Sequence, residues 1–159
     1  MFLNQISIGK RLTLVLGVIL ALFLASRVLA VVKLRQLGAE IDTSGVQRAA
    51  AIAKSSDASL IAYFAPATAA SIRDTNELQK FIESKMVTPE EKQLFAKVGE
   101  LRKHYLAARE EVSKHKQAGD ADAANKVFTE RFEPTSRSYL AGVQQLVDGQ
   151  RAQLDAAGK

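Results

Sequence analysis

A chain of 159 residues has material for one domain with a real core and too little for two of ordinary size. It contains no Cys, no Trp and only three Pro, which suits helices and excludes a disulfide framework, thiolate zinc sites and a cysteine nucleophile. The net charge of +5 is concentrated in residues 1–40, where five basic residues face Glu40 alone; the remaining 119 carry 17 basic and 16 acidic side chains with no one-sided basic stripe, so nucleic-acid binding, which needs clustered cations, is excluded.

The first element follows from the run Leu12 to Ser26, which has no charged residue. Apolar character resumes after Arg27 through Val32, and Lys33 and Arg35 end it. At about 1.5 Å per residue, the 21 positions from Leu12 to Val32 span roughly 31 Å, the hydrocarbon thickness of a bilayer. The sequence therefore predicts a transmembrane helix over 12–32. Arg27 lies five residues from the outer end, where its stem can follow the acyl boundary and its guanidinium can reach the headgroups. A competing reading is a cleaved signal peptide, with Lys10 and Arg11 as the basic region and Val28-Leu29-Ala30 before the cut. Basic residues flank both ends of the span, so charge leaves the orientation open.

Beyond the span the pattern continues as helix from Lys33 to about Arg73. Breaks are compatible with Ser55-Ser56-Asp57, with Pro66 and with Asp74-Thr75-Asn76; Asp74 and Glu77 form a D-x-x-E capping pattern, which places the first turn at 74–76. A short second helix then covers about Asp74 to Met86. Antiparallel neighbours in a bundle should be similar in length, so either the second helix is short, with one corner open or supplied by a partner chain, or the first turn lies nearer Pro66 within 55–76.

The next start is sharper. Thr88-Pro89-Glu90-Glu91 combines an N-cap hydroxyl, a proline at the first helical position and a glutamate at the third. Leu94, Val98, Leu101, Tyr105, Ala108 and Val112 follow in steps of three and four, the seam of a helix packed along another, up to a cap at Gly119. Asp120 caps a last helix with core positions Phe128, Phe132, Tyr139, Val143, Leu146 and Ala157, flanked by Leu140, Val147 and Leu154, running almost to Lys159. Pro134 removes a backbone donor inside it and predicts a kink near Ala124 to Arg131. The fold class is all-α, an N-terminal transmembrane helix continuing into an up-down four-helix bundle.

Catalytic chemistry has little to work with. The two histidines, His104 and His115, each follow a glutamate by four residues, the spacing of a surface pair and not the E-x-x-H of a di-iron bundle; no C-x-x-C-H haem motif, phosphate loop or zinc set is present. The expectation is a protein without cofactor or metal that is not an enzyme. Recognition would fall to arginines on helices, Arg48, Arg73, Arg109, Arg131 and Arg137 being available to clamp carboxylates.

Ile8-Gly9-Lys10-Arg11-Leu12, the membrane helix, Thr88-Pro89-Glu90-Glu91, Leu101 to Tyr105, Gly119-Asp120-Ala121-Asp122-Ala123-Ala124 and Phe132-Glu133-Pro134, in this order and spacing along the whole chain, resemble the four-helix-bundle ligand-binding domain of methyl-accepting chemotaxis proteins. The resemblance implies a cytoplasmic N-terminus over 1–11, an inner-membrane span over 12–32, and a periplasmic sensor domain over 33–159. It further implies homodimers that bind small solutes, directly or through a periplasmic binding protein, near the membrane-distal dimer interface. The family's carboxylate-binding arginines have no motif here to carry them over; helix ends expected to be distal put Arg73, Lys126 and Arg131 nearest such a pocket. A chemoreceptor continues through a second span into a relay and a methylated coiled coil, so the sequence reads as a fragment holding the input half. A sensor kinase or cyclase would use the same input domain, and with a cleaved leader the chain would be a secreted or periplasmic helical binding or scaffold protein.

Overall fold

The computed structural model describes the backbone of residues 8–157 and, apart from positions 42 and 43, the side chains from Val15 onward. Helix α1 (Ile8–Ala39) passes through a π-helical segment, Glu40–Gly45, into α2 (Val46–Lys54). The residues flanking the segment keep right-handed helical backbone, so the three pieces form one rod. Helix α3 (Ser59–Glu83) returns, α4 (Pro89–Gln117) goes out again, and α5 (Ala121–Val127) continues through a second π-helical segment, Phe128–Phe132, into α6 (Glu133–Ala157). Four antiparallel rods result, with no strand among the described residues.

The expected caps are present. Thr88 Oγ1 accepts from Glu91 N at 3.2 Å while Glu91 Oε2 accepts from Thr88 N at 2.8 Å, a reciprocal capping box. Gly119 has φ +80°, Asp120 N donates to His115 O and Gly119 N to Lys116 O, which closes α4 in a Schellman turn open to a residue without Cβ. Asp120 Oδ1 then accepts from Ala123 N to start α5.

The first turn is not at 74–76. The chain turns at Ser55–Ala58, where Ser55 is extended, Asp57 N donates to Ser55 Oγ and Ser59 N to Asp57 Oδ1. These short polar side chains offer the backbone partners that compete with helix, and the buried Lys116 ammonium caps the Ser55 carbonyl from α4. Asp74 and Asn76 instead face outward from an unbroken helix, with Thr75 between them turned to the core. Pro66 is also tolerated inside α3, on its exposed side. The second helix is therefore 25 residues long, not short, and it matches the 29 of α4.

That length has a consequence at the other end. Only 22 residues of the first rod lie between Lys33 and Lys54, so α3 and α4 reach below Lys33 and pack against α1 as far as Arg27. Ala30, Val31, Leu34 and Leu37 are buried with Ile82, Met86, Val98, Val143 and Leu146 in the core. Tyr105 packs between Phe132 and Tyr139 with tilted rings, the centroids 5.2 and 5.6 Å away. The α4 and last-rod seams point inward as expected, save that Ala157 is exposed and Val147 is fully in the core. From Val15 to Phe23, by contrast, Val15, Leu16, Val18, Ile19, Leu20, Leu22 and Phe23 are all exposed and cover every side of α1, which is long and apolar enough to cross a membrane.

Candidate functional site

Two polar clusters sit inside the bundle. The lower one joins three rods: the Arg27 guanidinium donates to Glu91 Oε1 and, at 3.1 Å, to Gln150 Oε1, while Gln150 Nε2 donates to the same glutamate oxygen. All three residues are 5% exposed or less. Arg27 thus finds a protein carboxylate and not lipid headgroups, and its guanidinium lies 5.1 Å from the Phe23 ring, the last aromatic of the apolar stretch. Burial alone raises the Glu91 carboxyl; the Thr88 and Val87 amides, Arg27 and Gln150 outweigh it and hold the group below the ordinary carboxylate range. The cluster is a clasp among the first rod, the start of α4 and the end of α6.

The upper cluster surrounds a cleft at mid-bundle. Its walls are Glu40, Ile41 and Gly45 of the first π-helical segment, Ser71, Ile72 and Thr75 of α3, Arg102, Tyr105, Leu106 and Arg109 of α4, and Tyr139 of α6. Glu40 is well supplied: Ser71 Oγ donates at 2.6 Å, Ser44 Oγ at 3.2 Å and Arg48 Nη2 at 3.4 Å. Among the described residues Arg102 donates to the neutral Gln79 Oε1, at 2.7 Å, and Gln79 Nε2 reaches the Tyr139 hydroxyl at 3.5 Å. Arg109 lies against the Tyr105 hydroxyl. Neither arginine has a carboxylate partner among the described residues. Burial pushes both tyrosines up, Tyr139 to about 12, so both remain neutral hydrogen-bonding groups.

The three residues expected near a distal pocket are not gathered in either cluster. Arg73 is exposed and lies fourteen residues into α3, a displacement that follows directly from the turn at 55–58. Lys126 is exposed on α5. Arg131, in the second π-helical segment, is exposed and ion-paired with Glu111 across to α4. Arg48 and Arg109, both named from sequence, do enter the upper cluster, whereas Arg102, Glu40, Tyr139 and the whole lower clasp were missed. One signal was available for Arg102: it stands three residues before Tyr105, and Arg109 four after, so all three share a stripe of α4 beside its apolar seam. For the clasp there was none, since Arg27 and Glu91 are 64 residues apart.

Among the described residues no group of three or more His, Asp or Glu is placed to hold a metal ion. His104 is exposed, and Glu100 pairs with Lys103 at 2.6 Å.

Residues 48–158 match the family model described as a four-helix-bundle sensory module for signal transduction. Comparison with curated proteins found no match.

Proposed function

The chain belongs to the four-helix-bundle sensory modules of chemoreceptor-type signal transduction, and from that premise we propose that it is the input half of a membrane-anchored receptor that binds a small solute outside the inner membrane. On this reading residues 1–11 are cytoplasmic, α1 crosses the bilayer, and the bundle stands in the periplasm and pairs with a second copy. The family is sensory and not catalytic in character. The observation that carries the solute-binding part is the mid-bundle cleft, where four elements converge on two tyrosines and on two arginines that have no carboxylate partner among the described residues. The membrane part is supported by the apolar stretch of α1 whose large side chains from Val15 to Phe23 are exposed on every side.

A solute that prefers one packing of the bundle shifts the population toward it by its differential affinity, and a continuous rod carries the shift toward the bilayer. The test is a thermal-shift screen of the full chain in lipid nanodiscs against amino acids, organic acids and sugars. A ligand at about one hundred times its Kd stabilises the folded state by about 2.7 kcal/mol. Stabilisation by a narrow chemical group supports the reading. Failure of every solute, and of periplasmic extract supplying binding proteins, overturns it.

A further inference from the structure

We infer that the turn between α3 and α4, residues 84–88, is a membrane contact: it sits in the phospholipid headgroup layer beside α1, with Val87 toward the acyl edge and the Lys85 ammonium toward the phosphates. The inference rests on the membrane reading above and adds a lipid surface that the bundle itself touches.

Contacts between the rods fix the level of this turn along α1. Gly38 lies against Val143, and the neighbouring Gly142 lies against Val98 and Leu101, so Gly38 is level with the part of α4 around residues 98–101. Eleven residues below Gly38 is Arg27, and eleven below that part of α4 are residues 87–90. The α3 side agrees: Ser71 bonds Glu40, and thirteen residues toward the base from each are Ser84 and Arg27. The Arg27–Glu91 ion pair and the bond from the Val87 amide to Glu91 close the same level.

The outer edge of the hydrocarbon is then bounded from both sides. An edge above the turn would put its backbone and the exposed carboxylates of Glu83 and Glu90 among acyl chains, where nothing can hydrogen-bond to them. A turn held clear of the membrane, above a headgroup layer about 6 Å deep, would put the edge about four residues lower, near Leu22. Positions 12–22 span only about 16 Å, roughly half of a 30 Å hydrocarbon core. Phe23, Val28, Leu29 and Val32, all exposed, would then stand in water. With the turn inside the headgroup layer the edge rises to Ser26 or slightly above, a span of about 22 Å or more, which is the smallest mismatch that both conditions allow.

The side chains of the turn suit that layer. Apart from residues of α1, only Tyr63 and Val87 are large, apolar and exposed among the described residues, and Val87, 60% exposed, is at this turn. Lys85 has no carboxylate partner among the described residues; its Nζ lies 5.4 Å from the Phe81 ring centroid, an apolar stem and ring beneath a charged tip. Headgroups offer phosphates to Lys85 and water or ammonium groups to Glu83 and Glu90, while the acyl edge takes Val87.

The experiment places single cysteines, Ile19→Cys, Tyr63→Cys, Ser84→Cys and Val87→Cys, in the full chain, which has no native cysteine. Each carries a nitrobenzoxadiazole fluorophore, and the chain is held in phosphatidylcholine nanodiscs whose lipid bears a doxyl quencher either high on the acyl chain or near its end. The labels at 84 and 87 are expected to lose fluorescence mainly to the high doxyl, and the label at 19 mainly to the deep one. The label at 63, about 31 Å farther up α3, should lose it to neither. Melting followed by circular dichroism identifies a variant that misfolds, and the other turn position then decides. Lys85→Glu added to Val87→Cys is expected to weaken the shallow quenching, and unchanged quenching overturns the phosphate contact. Turn labels that behave like the one at 63 while the label at 19 is quenched overturn the inference and leave the membrane reading standing. Turn labels quenched chiefly by the deep doxyl overturn it as well, and a label at 19 that is also unquenched overturns both.

Discussion

Glu91 serves the local chain and the tertiary fold with one carboxylate. One oxygen accepts from the Val87 and Thr88 amides and so starts α4, while the other accepts from Arg27 and Gln150 on two other rods. Arg27→Met leaves that carboxylate buried without its counter-charge and is expected to cost about 3 kcal/mol, and Glu91→Ala about 3–5 kcal/mol. Replacing both by Met recovers most of the loss but not the capping share, about 1 kcal/mol, because the two amides stay unsatisfied. Urea unfolding followed by circular dichroism measures all three; additive single-site losses would mean that the pair does not interact. The pH dependence follows from the same bonds. The Glu91 pKa in the fold lies below its unfolded value near 4.5, so its stabilisation is complete above that value and is lost as pH falls through the folded pKa. Acid titration of the melting point should show a drop below about pH 4.5 that Glu91→Gln flattens. The capping half of this residue was legible in Thr88-Pro89-Glu90-Glu91, since a cap is closed within four positions; the clasp half depends on tertiary approach and left no trace in spacing.

At the scale of elements, both interruptions of the long rods are π-helical. Pro134 predicts a kink, and the chain meets the missing donor with a wider turn over Phe128–Phe132, which puts the proline in the first turn of α6. The first segment has no proline and is held by a contact across the bundle. A Cβ on Gly45 would overlap the Tyr105 hydroxyl oxygen, whereas the ring carbon behind that oxygen lies at 3.6 Å, an ordinary contact. Gly45→Ala is therefore expected to destabilise by about 1–2 kcal/mol despite its gain of about 1 kcal/mol in helix propensity. In a Tyr105→Phe background the same change should become neutral or stabilising. A double-mutant cycle reads the difference, and equal effects in the two backgrounds would show that the oxygen is not what excludes a side chain at position 45. The misplaced first turn belongs to this scale too. Asp74 and Glu77 satisfy a capping pattern as well as Ser55 to Asp57 satisfy a turn, and only the burial of Thr75 and the Lys116 cap on Ser55 separate the two.

For the whole molecule the decisive feature is where the bundle begins along α1. Arg27, Ala30 and Val31 lie among the buried residues although the apolar pattern alone extends to Val32. A chain starting at Arg27 is expected to fold with the full core, whereas one starting at Lys33 gives up the clasp and about 2 kcal/mol of Val31 burial. Its melting point should fall well below that of the longer chain, and equal melting points would place the base of the bundle higher. Orientation can be read on the full chain because no native cysteine competes. A single cysteine at the exposed Tyr63 is expected to react with a membrane-impermeant maleimide in intact spheroplasts, and protection there would put the bundle in the cytoplasm.

The sequence by itself determined the fold class, two of the three turns between rods, the core stripes of α4 and α6 and the apolar stretch of α1, because each is written in residues a few positions apart that act on one another through the backbone. Tertiary structure decided the first turn, the depth at which the bundle grips α1, the Arg27–Glu91–Gln150 clasp and the meeting of Arg102, Arg109 and Tyr139 in one cleft. Those depend on which faces the rods turn to one another, and the burial and charge pairing that select the faces exist only once all four are packed.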